Sequence, residues 1–140
     1  MTRAVQDLPK AHLHLHFTGS MRVATVRDLA RKHALHLPEA LTTGYPPLLS
    51  GRDERGWFRF QRLYDAARAC VRDEADLRRI VREAAQDDAA EGSRWLEIQV
   101  DPTSYAPVVG GITPALEIVL DEAAAASREC STHAAAAVAA

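Results

Sequence analysis

Residues 12–20 read His-Leu-His-Leu-His-Phe-Thr-Gly-Ser and carry the chemistry most readily recognised in this chain. On a β-strand, residues two apart point to one face. His14 and His16 can therefore offer two imidazoles to one divalent cation, while Leu13, Leu15 and Phe17 turn the other way into apolar packing. Gly19-Ser20 supplies a turn just after the strand, and catalytic metals in parallel α/β proteins sit at the carboxyl ends of strands. That favours His14 and His16 over His12 as ligands. H-x-H is a short pattern, and histidines on the wet face of a half-exposed strand remain its bland reading. A hydrolytic zinc uses about three or more protein ligands, keeps a position for water and lowers the pKa of that water toward ~7. It also needs a general acid/base nearby, so two histidines are only part of such a site.

The elements that must position these residues follow from periodicity. Residues 8–17 alternate as a strand, with Pro9 tolerable at its start. Val26, Leu29, Ala30, His33, Ala34 and Leu37 form a helical stripe that Pro38 closes. Residues 42–56 are rich in Gly and Pro and read as a long loop, with a lid as one use for it. Phe60, Leu63, Tyr64, Ala67 and Val71 mark a second helix, with Trp57 and Phe58 just ahead of it. Leu77, Ile80, Val81, Ala84 and Asp88 mark a third, opened by Asp73 or nearby acidic residues and stopped by Gly92. Residues 95–100 read as a strand with Leu96, Ile98 and Val100 on one face; Trp95, Glu97, Gln99 and Asp101 lie on the other, where polar groups can face a cavity. After a Pro/Gly-rich loop at 102–111, Thr113 and Pro114 have the N-cap and N1 chemistry of a further helix.

Strand and helix alternation predicts parallel strands joined by crossovers, and two such strands cannot close a sheet. A (β/α)₈ barrel typically takes about 250 residues. The chain has 140, so the fold expected is α/β, the N-terminal part of a (β/α)₈ TIM barrel that is incomplete here. Residues 7–129 make up that part. Residues 130–140 form an Ala-rich tail, read either as a helix extension or as a non-native end, at a place where the alternation asks for another strand.

The formal net charge is −2 with both signs interspersed, so nothing points to nucleic acid or to a membrane surface. Cys70 and Cys130 show no metal or disulfide spacing. With neither an evident signal peptide nor a run of ~20 apolar residues, a cytoplasmic location is the expectation.

Residues 8–20 resemble the opening strand of the adenosine deaminase family, P-K-x-x-L-H-x-H-x-x-G-S/T, and residues 95–102, WLEIQVDP, are similar to its second strand. The resemblance covers roughly residues 7–129. It implies a barrel holding one Zn²⁺ and removal by water of the 6-amino group of adenosine or a related purine, with a small-molecule purine nucleoside as partner. By that resemblance His14 and His16 are metal ligands, and His16 and Thr18 are substrate-binding. Thr18 stands where the family often has an Asp that contacts the ribose, which opens the question of sugar or purine specificity; from the residues alone it reads either as a substrate-contacting hydroxyl or as a turn residue. His12 stands at an often acidic position that is not a ligand, and Gln99 replaces the usual Arg. The third His, the catalytic Glu, the further His and the Asp come from later strands, so no catalytic residue is expected within this chain.

None of His33, His36 or His133 falls in a matching motif, and the H-x-E with P-C-x-x-C signature of the other zinc deaminases is missing. Phe60 reads as core, Trp57 as core or lid, and Glu97 as a hydrogen-bonding residue inside the barrel. Two alternatives stand beside the deaminase reading. One is an inactive truncated remnant that self-associates through uncovered sheet edges. The other keeps the barrel with adenine or aminodeoxyfutalosine as substrate.

Overall fold

Parallel pairing organises the molecule. A computed structural model describes residues 4–43, 52–130 and 132–138. Its strands β1 (Lys10–His16), β2 (Ser93–Val100) and β3 (His133–Val138) lie in that order in one sheet, and both pairings are parallel. Helices α1 (Val23–Lys32), α2 (Glu54–Arg68) and α3 (Glu74–Ala90) come between β1 and β2; α4 (Ala106–Val109) and α5 (Ile112–Glu129) come between β2 and β3. Among the described residues no helix is long and apolar enough to cross a membrane.

The period of two read in β2 settles which face is covered. Leu96, Ile98 and Val100 are buried in one cluster with Leu77, Ile80 and Val81 of α3 and Val119 and Ala123 of α5. Full burial of each Leu, Ile or Val side chain among them contributes about 1.5–3 kcal/mol. Trp95 is 40% exposed on the other face. Asp73 caps α3 as its sequence predicts, its carboxylate accepting the Asp76 N–H at 2.9 Å, and Gly92 (φ 80°) turns the chain after the helix ends.

β1 is not a regular strand. His12 pairs with Leu96 but Leu15 with Ile98, so three steps along β1 oppose two along β2, and His14 within this bulge has φ 68°. The bulge inverts part of the expected alternation. Leu13, expected in apolar packing, is 62% exposed, whereas Leu15 packs against the core and Phe17 is buried in it.

Three element ends differ from the sequence reading. α1 stops at Lys32 rather than running to Leu37, because Ala34 enters the left-handed region (φ 53°) and the Leu35 and Ala34 N–H groups bond back to Ala30 and Arg31 carbonyls. α2 begins at Glu54, inside the expected loop. Asp53 accepts the Gly56 N–H at 2.8 Å, and a Cβ at Gly56 would come within 2.3 Å of that carboxylate. The rest of that loop, 44–51, lies outside the described residues. α5 begins at Ile112, with Gly111 rather than Thr113 at the N-cap position; Pro114 fits because first-turn N–H groups have no intrahelical partner.

The helix-extension reading of the Ala-rich segment is also corrected, since residues 133–138 pair with β2 from Trp95 to Val100. Tertiary bonding overrides the helix propensity of alanine. Thr132 donates its hydroxyl to the Ser93 carbonyl, and the Ala134 N–H donates to Ser127 Oγ of α5 at 2.9 Å.

Candidate functional site

A cavity of about 620 Å³ opens at the carboxyl ends of β1 and β2. β1 delivers His16 and the following Phe17, Thr18 and Gly19; β2 delivers Gln99, and the segment after it Asp101, Ser104 and Tyr105. One face of α2 closes the side with Trp57, Phe60, Gln61, Tyr64 and Arg68. Helical spacing stacks these side chains. The Trp57 and Phe60 ring centroids are 5.6 Å apart, those of Phe60 and Tyr64 are 6.1 Å apart, and the Arg68 guanidinium lies 5.1 Å from the Tyr64 ring centre. Phe60, expected in the core, is only half-buried and belongs to this wall.

The two histidines singled out by their spacing come together. The His14 and His16 ring centroids are 5.0 Å apart at an interplanar angle of 77°. Both residues are exposed, and His16 lines the cavity. His12, at the same spacing, is drawn to the helix layer instead, where its Nδ1 lies 2.8 Å from an Asp88 carboxylate oxygen of α3. The bulge between them separates these fates, because it flips the strand between His12 and His16.

Thr18 lies on the cavity wall but is 5% exposed, and its hydroxyl is 2.5 Å from that of Tyr105, itself 2% exposed. Burial pushes the Tyr105 phenol up to about 12, so it stays neutral far above physiological pH. Asp101 is held below the usual carboxylate range, chiefly by the Thr103 hydroxyl and further by Ser104 and the Thr103 N–H. Tyr105, Tyr64 and Arg68 were not among the expected site residues. Tyr105 sits in the segment after a strand end, a place where α/β proteins keep functional groups.

A second group of donors lies away from the cavity. Ligand atoms of His33, Asp73 and Asp76 fall within 4.8 Å of one another. The Lys32 ammonium is 2.7 Å from Asp73 and 2.6 Å from Asp76, and His33 Nε2 is 2.6 Å from the other Asp76 oxygen. The cation within this cluster is thus a lysine, and the cluster ties the end of α1 to the start of α3.

Comparison with known proteins places the fold and the family. Among solved structures, an amidohydrolase from Burkholderia ambifaria with bound Zn superposes with a TM-score of 0.72 at 24% identity, over 94% of this chain and 35% of that one. Arabidopsis ADAL complexed with GMP gives 0.71 at 22%, over 95% of this chain and 40% of that one. The fold is accordingly α/β and forms the N-terminal part of a (β/α)₈ barrel.

The family model for adenosine deaminase matches residues 9–140, and the chain belongs to that family. A Streptomyces virginiae protein, provisionally named an adenosine/adenine deaminase, is 68% identical over 122 residues, which are 87% of this chain and 36% of that protein. The chain therefore spans about a third of the length of the curated relatives it matches.

Proposed function

We propose that this chain carries the first part of the active site of a zinc-dependent aminohydrolase acting on adenosine or a related 6-aminopurine. The reaction exchanges the 6-amino group for oxygen, consuming one water and releasing one ammonia. The observation that carries the reading is the convergence of the His14 and His16 rings beside the cavity. Paired imidazoles suit a borderline-soft divalent cation such as zinc, and His14 and His16 are the residues that would hold it. Bound zinc supplies Lewis acidity and acidifies water.

Two imidazoles are fewer than the about three ligands a catalytic zinc uses. The remaining donors and the general acid/base are assigned to the part of the barrel that this chain does not span. The cavity receives the purine against His16 and Thr18, with the α2 rings as an apolar wall. The bound GMP of Arabidopsis ADAL supports a purine ligand. The name of the Streptomyces relative supports adenine beside adenosine.

The 140-residue chain is expected to show no measurable deamination, because positioned proton transfer contributes ~10²–10⁴-fold and its group is not assigned here. A protein spanning the whole barrel is expected to release ammonia from at least one of adenosine, adenine and aminodeoxyfutalosine. It is expected to lose that activity with His14→Ala or His16→Ala. Ammonia release from none of them would overturn the reading and leave a non-catalytic remnant, which the exposure of Leu13 and Trp95 favours as the second reading. Deamination by the short chain that survives His14→Ala would equally count against it.

A further inference from the structure

Gln99 lies opposite His16 in the β1–β2 register, and both residues line the cavity. The register is pinned at this point, because the Phe17 N–H donates to the Gln99 carbonyl at 2.9 Å. The side-chain oxygen of Gln99 is fully buried and accepts no hydrogen bond. A buried acceptor left unpaired is costly and calls for an explanation. Of the cavity hydroxyls, Tyr105 and Thr18 are engaged with each other and Ser104 with Asp101. The His16 ring is its direct neighbour across the β1–β2 register.

We propose that Gln99 is a positioning residue for His16: with a turn of either side chain, its unpaired side-chain oxygen accepts the N–H of the ring nitrogen turned away from the cation. Metal-binding histidines commonly donate their second ring N–H to an oxygen acceptor, which fixes both the tautomer and the ring plane. A glutamine suits that task on neighbouring parallel strands, where its length spans the gap without adding charge. The inference rests on the metal reading of His14 and His16, and it gives a role to the position where the family's usual arginine is replaced.

Gln99→Met keeps the shape and removes the acceptor; Gln99→Glu keeps an acceptor. In ¹⁵N-resolved spectra of the metal-free 140-residue chain, His16 is expected to hold one tautomer in the parent and in Gln99→Glu. In Gln99→Met it is expected to become a mixture. In titrations with Zn²⁺ alone, Gln99→Met is expected to bind about tenfold or more weakly than the parent, with recovery in Gln99→Glu. An unchanged tautomer and unchanged Zn²⁺ affinity in Gln99→Met would overturn the proposal, as would equal losses in both variants. Failure of the underlying metal reading shows separately, as parent and His14→Ala chains that take up Zn²⁺ alike.

Discussion

His14 and His16 meet with ring centroids 5.0 Å apart although His14 holds a left-handed backbone at φ 68°. A non-glycine residue in that region carries strain of roughly 1–2 kcal/mol, and strain of this kind persists where the surrounding structure and the function require it. The bulge is what the strain maintains, and the bulge sends His12 to Asp88 and leaves the other two histidines facing one another.

Stability should therefore respond to His14 in an unusual order. His14→Gly removes the imidazole and the strain, whereas His14→Ala removes only the imidazole. Glycine, normally worse than alanine in a strand, is expected to be the more stable here by roughly 0.5–1 kcal/mol in urea unfolding. Alanine matching or exceeding glycine would mean that β1 passes through His14 as an ordinary strand.

The buried Thr18–Tyr105 contact makes a separable prediction. Either Tyr105→Phe or Thr18→Val strands one hydroxyl in the wall and is expected to cost about 1–3 kcal/mol, while the double variant should cost less than the sum. Additive losses would show that the two hydroxyls do not depend on each other. Burial of the Tyr105 phenol has its own alkaline signature, which the Thr18 hydrogen bond opposes. The folded phenol value, about 12, lies above the ordinary ~10, so its contribution is complete below pH ~10 and is lost as pH rises toward 12. Tyr105→Phe should flatten that decline in a pH series of melting temperatures.

At the other end of the pH scale the Lys32–Asp73 pair is the informative one. The Lys32 ammonium holds the Asp73 carboxyl below its ordinary value, so this contribution is present above about pH 4 and is lost as pH falls through the folded value. The pair is more than a third exposed on both sides, which limits its worth to about 0.2–1 kcal/mol. Asp73→Asn keeps N-cap chemistry for α3 and removes the charge. Urea midpoints between pH 5 and 2 should fall less steeply for this variant than for the parent, and an identical slope would assign the acid loss to other carboxylates.

What was legible in the sequence divides along physical lines. β2 and α3 were readable because their partners are repeated many times over: an alternating stripe against an i, i+3, i+4 stripe, with Asp73 as cap. The His14/His16 pair was readable because spacing of two survives the bulge, while the fate of Leu13 was not, since the bulge reverses the face without any Gly or Pro to announce it. The end of α1 was missed for the same reason, an alanine doing at position 34 what glycine usually does. The helix reading of the Ala-rich segment failed because pairing with β2 outweighs local propensity. Tyr105 was missed because its role comes from burial against Thr18, 87 residues away in sequence.

The open face of the sheet yields the last prediction. Leu13 is 62% and Trp95 40% exposed on the two neighbouring strands β1 and β2, and among the described residues β1 and β3 each pair on one side only. Apolar surface beside unpaired strand edges templates association between chains. The 140-residue chain is expected to self-associate at micromolar concentration in sedimentation velocity. Leu13→Lys should shift it toward monomer with less than about 0.5 kcal/mol change in stability, since the side chain is solvated in the isolated chain. A parent chain that sediments as a sharply melting monomer would rule this out and would mean that β1 is protected by some other part of the molecule.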